Sequence, residues 1–514
     1  MLEALYGPDL SPRLAELAHH ALAGSDVAEG VRYARLAGDR ALALLAYEEA
    51  ARLYESALAA LGDSGEGSRC ELLLALGEAR SQAGDTSSAK RALLAAAGIA
   101  RRLGLAHALA RAAAEYGGRI IYARAGDDER VLPLLEEALA GLAGEDAELR
   151  VRLLARLAAA LRDEPSRTRR DALSRDAVEL ARRIDDPAAL AYALDGRAIS
   201  VLAPDTVAEV EALGAELRDL ATRIGDRERI VHGCMHRLGP LLMLGKVAEA
   251  EAEIEVADRV ARELRQPAHL WDVGGAKAML ALAEGRLGDA EGLMSDLRAL
   301  GERAQPEMAI PVHLVQRYTL CDFRGGLEDV EPVMRALAAE RPARPVFRCV
   351  LAHVHARVGR LPEARRALDD LTRDDCAGLP FDQEWLFGMS LLAETSGLLG
   401  DAGSATVLYR LLLPWSALNV VDQCEGIRGS VSRYLGILAP AAGRGREADR
   451  HFEDALAMNA ETGALPWLAR TRNDYARMRL ARDGPGDRER ARELLDASLE
   501  GYRELGMEPT AAGG

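Results

Sequence analysis

The chain has 514 residues, of which 49% are apolar, 28% are charged and only 4% are aromatic. Its formal net charge of −16 argues against a general affinity for nucleic acid, which comes from basic groups that neutralise phosphates, although it leaves open a basic groove on an acidic body. The first residues lack the pattern of a signal peptide and no uncharged apolar run reaches about 18 residues, so we expect neither a signal peptide nor a membrane span.

Helical spacing begins in the first segments and continues along the chain. In residues 43–61, for example, large apolar side chains recur three or four positions apart, which places them on one helix face. Short breakers rich in glycine and proline separate such segments, as expected for the turns of helical hairpins. Alanine, leucine, arginine and glutamate, all strong helix formers, dominate the segments between the breakers.

One pattern returns about every 40 residues, in which a small anchor residue follows a glycine-containing loop and a large apolar residue stands four positions after it. The anchor is alanine or valine at Ala50, Ala89, Val131, Ala250, Ala290, Val330, Ala364, Ala405, Ala448 and Ala491. A fixed period of this length predicts a solenoid of helical hairpins, about twelve in number if weak copies near positions 170 and 210 are included. A small residue lets two helices cross closely, so we assign these positions to packing.

We therefore predict an all-α fold, a right-handed superhelical solenoid of about twelve antiparallel helical hairpins. We expect N-terminal helical units at residues 1–61, a repeat array at 62–506 and a disordered tail at 507–514. The repeat register is weakest between residues 163 and 226, where we expect an irregular unit or a bend.

The period resembles that of the tetratricopeptide repeat, which has 34 residues, but it is longer. Two stretches, at 14–54 and 451–478, resemble the helical-repeat sensor arms of large bacterial signal-transduction ATPases. These include LuxR-type transcriptional regulators of the maltose-activator kind and related nucleotide cyclases. The first stretch contains Tyr33-Ala34-Arg35 and Tyr47-Glu48-Glu49-Ala50, and the second contains His451-Phe452 and Pro466-Trp467.

In that family an ATPase module precedes the first stretch, and a DNA-binding helix-turn-helix follows the last repeat where it is present. This chain departs from the family at both ends, so the resemblance implies a sensor arm alone. We do not carry ATP hydrolysis or DNA binding over to it.

No motif in the sequence predicts catalysis, a cofactor or a metal. Gly239 and Gly245-Lys246 are separated by five residues, whereas a phosphate-binding loop needs four and a Ser or Thr after the lysine, so we interpret Gly245-Lys246 as a hairpin turn. His232 and His236 have a spacing used at metal sites but no identifiable third ligand, and we interpret them as ordinary helix residues. The arginine-rich run at 162–170 is interleaved with acidic residues, which indicates a solvated loop.

Six scattered cysteines without a Cys-x-x-Cys pair are typical of reduced thiols, so we expect a cytoplasmic protein.

By the resemblance to tetratricopeptide repeats, residues about 11, 15 or 18 positions before each anchor face the concave side of the superhelix. They are Asp272, Thr319, His353, Arg433 and Asn473.

Our leading hypothesis is a non-enzymatic sensor arm of a bacterial regulator that binds a peptide, a protein segment or a small effector on this face. The alternatives are a stand-alone scaffold that joins two proteins and, more remotely, an enzyme embedded in a helical array.

Overall fold

The computed structural model describes residues 13–23, 27–62, 65–118, 124–142 and 146–509. Within these ranges the chain forms 26 α-helices, two short 3-10 turns and one two-stranded sheet. Helix α1 (Leu14–Ala23) comes first, and the single-turn helix α20 (Arg373–Cys376) lies between two repeats. The other 24 helices pair into twelve helical hairpins, which confirms the predicted all-α solenoid and its number of units.

Hairpins 1 to 6 are α2 (Val27–Ala43) with α3 (Tyr47–Leu61), α4 (Glu66–Gln82) with α5 (Thr86–Leu103), α6 (Ala106–Tyr116) with α7 (Val131–Gly141), α8 (Ala147–Ala160) with α9 (Thr168–Ile184), α10 (Pro187–Val201) with α11 (Val207–Ile224), and α12 (Arg227–Met243) with α13 (Val247–Leu264). Hairpins 7 to 10 are α14 (Pro267–Glu284) with α15 (Leu287–Ala304), α16 (Pro306–Arg324) with α17 (Leu327–Glu340), α18 (Val346–Arg357) with α19 (Leu361–Leu371), and α21 (Trp385–Leu399) with α22 (Ala402–Leu412). Strands β1 (Asn419–Asp422) and β2 (Gly426–Ser430) follow, and then hairpins 11 and 12, which are α23 (Val431–Leu438) with α24 (Ala448–Glu461) and α25 (Leu465–Arg482) with α26 (Asp487–Glu504).

The anchor residue lies near the start of the second helix of each hairpin, and all ten predicted alanine and valine anchors are buried. The two weak copies of the pattern, near positions 170 and 210, also place a buried residue at the anchor position. These residues are Val210 in α11 and Arg170 in α9. Arg170 replaces a small residue because its guanidinium donates to three backbone carbonyls, including that of Ser200 at 3.1 Å. Two regular hairpins thus cover residues 147–224, so the irregular unit expected at 163–226 is not seen beyond the 3-10 turn Leu161–Asp163, and the bend expected there stays a prediction.

The large residue four positions after an anchor packs onto a small residue of the preceding helix. Tyr54 covers Gly38, Leu93 covers Gly77 and Phe452 covers Gly436, so the partners are 16 positions apart each time. A Cβ atom placed on Gly436 would lie 2.9 Å from ring atoms of Phe452. The glycine therefore sets how closely the two helices of the hairpin approach.

The superhelix is wound so tightly that later repeats lie directly against earlier ones. Tyr47 Oη donates to the carbonyl of Leu264 at 2.9 Å, and Thr86 Oγ1 donates to that of Ala304, over separations of 217 and 218 residues. Lys90 pairs with both Asp128 and Glu307, the latter also 217 residues away. These contacts join residues about 217 positions apart, and each hairpin has about 40 residues. One superhelical turn therefore contains between five and six hairpins.

The strands β1 and β2 form an antiparallel β-hairpin, with Val421 opposite Ile427 and Asp422 opposite Gly426. Its residues are buried against the first helices of several repeats, which form the concave side of the superhelix. Asn419 donates to the carbonyl of Leu242 in α12 at 3.1 Å, and Gln316 of α16 donates to that of Cys424. The chain therefore fills part of its own concave side, a feature that the helical repeat pattern does not predict.

The end of the array extends past the predicted boundary at residue 506. Met507 is buried in an apolar cluster, and the amide of Glu508 donates to the carbonyl of Phe323 at 2.8 Å. The expected tail at 507–514 is therefore packed at its first two residues, and 510–514 lie outside the described residues. In the ranges given above, no helix has the length and apolar character needed to cross a membrane.

Candidate functional site

A cavity of about 770 Å³ opens on the concave side of the last four hairpins, beyond the part that the β-hairpin fills. Its walls come mainly from the first helices α18, α21, α23 and α25, so helices far apart in sequence share one site. This volume lies within the range of about 300–1,000 Å³ typical of small-molecule sites. A second pocket, lined by Arg152, Arg156 and Tyr192 among others, is smaller, at about 190 Å³.

The floor of the cavity is organised around the buried carboxylate of Glu394. Its Oε2 lies 2.8 Å from Nε2 of His353 and pairs with Arg428, while Oε1 pairs with Arg433. Burial alone would raise the pKa of Glu394, but Arg433 and Arg428 hold it well below its usual range. Glu394 therefore stays ionised and is shared by three basic side chains.

His353 is held in one orientation by two neighbours. Burial lowers its pKa, which favours the neutral ring. Its Nδ1 lies 2.7 Å from Tyr318 Oη, and that hydroxyl accepts from Arg428 Nη1 at 3.2 Å. These contacts are satisfied together when Tyr318 donates to Nδ1 and the ring proton sits on Nε2, which faces Glu394.

Most arginines of the wall already have carboxylate partners. Arg357 and Arg470 share the buried Asp322, which Arg357 meets at 2.7 Å. Arg433 also reaches Asp474 at 2.6 Å. These pairs fix the side chains of the wall, since a buried guanidinium without a partner would be costly.

Two arginines of the lining differ from the others. Arg446 is exposed and Arg477 is half-buried, and among the described residues neither has a carboxylate within 4.0 Å. The cavity and its ion pairs contain the eight arginines Arg357, Arg428, Arg433, Arg446, Arg470, Arg477, Arg479 and Arg482. Five carboxylates face them, those of Asp322, Glu394, Asp449, Asp474 and Asp487. The site thus carries three excess positive charges in a chain of net charge −16.

Apolar side chains form the remaining wall of the cavity. They are Leu398, Ile437, Leu438, Phe452 and Met478. The ring of Phe452 is stacked on that of Tyr475, with centroids 5.0 Å apart, so this wall is firmly placed. The cavity can therefore accept a ligand that is apolar over part of its surface.

The five residues predicted for the concave face are all buried and lie in three places. His353 and Arg433 line the cavity, whereas Asn473 is next to the lining residue Asp474 in α25. Asp272 and Thr319 lie farther along, at the β-hairpin. The same kind of offset from the anchor therefore selects residues that line the cavity and residues that lie under the β-hairpin, and their role in binding stays a prediction.

The β-hairpin covers the two remaining predicted residues. Cys424 Sγ is 3.6 Å from Oδ1 of Asp272, and a Cβ on Gly426 would be 3.8 Å from Thr319 Oγ1. Thr319 donates to the carbonyl of Val315 in its own helix. Burial raises the pKa of Asp272 to about 7. These two positions are thus closed to a ligand while the β-hairpin is in place.

Sequence reasoning missed most of the charged residues of the site. Arg446 lies in a loop and Arg477 on a helix face that repeat periodicity assigns to the surface. Arg446 and Arg477 stand 31 positions apart in sequence, so no local pattern joins them. The packing of neighbouring hairpins 11 and 12 brings both into the lining of one cavity.

The paired histidines of α12 belong to a buried polar network. Asp195 of α10 lies 2.7 Å from His232 Nδ1 and 2.7 Å from His236 Nε2. Nε2 of His232 is also 3.1 Å from Nε2 of His269. In the part of the chain that the structure describes, no group of three or more His, Cys, Asp or Glu side chains is arranged to hold a metal ion.

The arginine-rich run differs from the predicted solvated loop. Arg167 is partly exposed, Arg169 is exposed and both pair with acidic residues, but Arg162 and Arg170 are buried and donate to backbone carbonyls. Two of the four arginines in this run therefore cap helix ends instead of facing water.

Gly245 has a φ of +77° in the turn between α12 and α13, in line with its interpretation as a hairpin turn.

Comparison with one solved structure shows the same type of fold over nearly the whole chain. A chain in the crystal structure of the APC/C hetero-tetramer Cut9-Hcn1 is 13% identical, with a TM-score of 0.50, over 98% of this chain and 97% of that one. A chain in the crystal structure of a Rap protein complexed with competence and sporulation factor is 14% identical over 77% of this chain and 84% of that one, with a TM-score of 0.34. No protein-family model and no curated protein matches the sequence. The chain has a tetratricopeptide-like fold.

Proposed function

We propose that this chain is a non-enzymatic binding protein whose ligand occupies the cavity of hairpins 9 to 12. The observation that carries the proposal is an open cavity of about 770 Å³ on the concave side of the superhelix, beside the part that the chain fills with its own β-hairpin. Glu394 on its floor is held by ion pairs with two arginines and lies beside the neutral His353, which suits recognition better than proton transfer to a substrate.

The ligand site has a direct path to the β-hairpin. Glu394 lines the cavity and pairs with Arg428 of β2, so a ligand that displaces Glu394 from its partners changes how the β-hairpin is held. A ligand with different affinity for the two arrangements shifts the equilibrium between them. This supports a sensor arm of a cytoplasmic bacterial regulator, the role that the stretches at 14–54 and 451–478 imply by resemblance.

A thermal-shift screen with pooled metabolites tests the proposal, because a ligand that binds only the folded state raises its stability. Ala481, at the exposed end of α25, lines the cavity, and Ala299 is exposed in α15 away from it. We expect a stabilising pool whose effect is lost in Ala481→Trp and kept in Ala299→Trp. A stabilisation that survives in Ala481→Trp would place the ligand elsewhere.

The second candidate is a scaffold that joins other proteins. It is supported by the likeness, over nearly the full length of both chains, to a chain from a hetero-tetramer. A pull-down that yields one stoichiometric protein partner, together with no response to any metabolite pool, would favour the scaffold over the sensor.

A further inference from the structure

We infer that the cavity binds an amphiphilic carboxylate, with its acid group at Arg446 and Arg477 and its apolar body against the inner wall. The inference rests on the proposed function, because it assumes that the cavity is a ligand site. It adds the chemical class and the orientation of the ligand.

The charge of the site selects an anion. Arg446 and Arg477 bring two guanidinium groups to the lining without a carboxylate partner among the described residues, and the site as a whole has three positive charges in excess. A concave site with an excess of positive charge concentrates negatively charged ligands, even on a protein whose net charge is −16. Guanidinium groups also match a carboxylate in geometry, since each can donate two parallel hydrogen bonds.

The acidic groups of the cavity fix the orientation of the ligand. Glu394 at the floor is ionised and fully engaged with His353, Arg428 and Arg433, and Asp474 is held by Arg433. A second negative charge close to these carboxylates would be repelled. The acid group of the ligand is therefore placed toward the exposed Arg446 and the half-buried Arg477.

The apolar wall indicates a ligand larger than an inorganic anion. Ile437, Phe452 and Met478 lie in the lining, and removing apolar ligand surface from water against them favours binding. A cavity of about 770 Å³ is far larger than an acetate or phosphate ion requires. An alkyl chain or an aromatic ring attached to the acid fits this part of the site.

Isothermal titration calorimetry tests the class with octanoate and 3-phenylpropanoate, which separate an alkyl from an aromatic body. Octanamide and 3-phenylpropanamide are the uncharged counterparts, and acetate is the acid group alone. We expect at least one of the two acids to bind ten-fold or more tightly than its amide and than acetate. An amide that binds as well as its acid would overturn the inference.

The matched variants are the double change Arg446→Glu with Arg477→Glu and the single change Arg450→Glu. Arg450 is exposed on α24 and does not line the cavity. We expect the double variant to weaken binding of the acid at least ten-fold, and Arg450→Glu to leave it unchanged, with circular dichroism confirming that both fold. Equal affinity of the double variant and the wild type would refute the assigned role of the two arginines.

The two proposals fail in different ways. If neither acid binds, but a metabolite pool stabilises the wild type and not Ala481→Trp, the ligand class is wrong and the cavity is still the binding site. If no acid binds and no pool has an effect that depends on Ala481, both the inference and the proposed function are wrong.

Discussion

Glu394 in α21 and Arg428 in β2 form a buried ion pair that joins the floor of the cavity to the β-hairpin. The same carboxylate also forms an ion pair with Arg433 of α23, so one acidic side chain links α21, β2 and α23. Both arginines are buried, so each depends on a carboxylate partner to offset the loss of its hydration. The carboxylate therefore serves the stability of the array as well as the shape of the site.

Replacing Glu394 by Gln should destabilise the protein strongly. Arg428 and Arg433 would remain buried with one negative charge fewer, and removing one partner from a buried ion pair costs about 3–5 kcal/mol. The measurement is the urea concentration at the midpoint of unfolding, followed by circular dichroism. Glu461→Gln, at an exposed position of α24, is the control and should change the midpoint little. A loss below about 1 kcal/mol for Glu394→Gln would contradict the assigned role.

Asp272 should make the protein less stable as pH rises from about 4 to 7. Burial raises its pKa to about 7, whereas an unfolded aspartate has a pKa near 3.9. Between these values the unfolded chain loses its proton while the folded one keeps it, so the free energy of unfolding falls by about 4 kcal/mol in total.

The variant Asp272→Asn cannot ionise and still offers Oδ1 to the thiol of Cys424. We therefore expect it to be more stable than the wild type at pH 8 and nearly equal to it at pH 4, in urea unfolding at the two values. The exposed Asp296→Asn is the control, and it should track the wild type at both. If the variant is less stable than the wild type at pH 8, the ionised carboxylate of Asp272 is stabilised by a positively charged partner, and the prediction is wrong.

The contribution of Asp195 to the stability of the folded protein should depend on pH in the opposite sense. Burial would raise its pKa, but His232 and Arg229 hold it well below the usual range. The stabilisation is therefore present above the unfolded pKa of about 3.9 and is lost as pH falls through and below that value. We expect Asp195→Asn to be less stable than the wild type at pH 6, with the difference shrinking at pH 3. Unfolding curves at the two pH values decide this, and a constant difference would contradict it.

Gly436→Ala should destabilise the protein, although the same change usually stabilises a helix. An alanine in a helix interior is about 0.5–1 kcal/mol better than glycine. At Gly436, however, the new Cβ would lie 2.9 Å from the ring of Phe452, which is itself stacked on Tyr475. Overpacking of this kind costs about 1–3 kcal/mol.

The matched control is Gly292 of α15, where a Cβ would meet no atom within 4 Å. We expect Gly292→Ala to raise the midpoint of thermal unfolding and Gly436→Ala to lower it. Two changes of the same sign would mean that the contact between Gly436 and Phe452 does not limit how closely the two helices approach.

The sequence by itself determined the number, the register and the helical nature of the repeats. Each hairpin is specified locally by an anchor such as Ala290, a turn and a period of about 40, and this information survives even where Arg170 replaces the small residue. The tertiary structure alone decided which inward positions are open. His353 lines a cavity while Asp272 lies under the β-hairpin, although both were chosen by the same kind of offset from an anchor.

The physical reason is the range of the interactions. Periodicity reflects contacts within a hairpin and between neighbours, whereas Tyr47 meets Leu264 and Arg470 meets Asp322 across 217 and 148 residues. Such contacts depend on how small rotations between successive hairpins add up over the array. The same accumulation brings His353 of hairpin 9 and Arg477 of hairpin 12 to one cavity, and it leaves no trace in the local pattern of either residue.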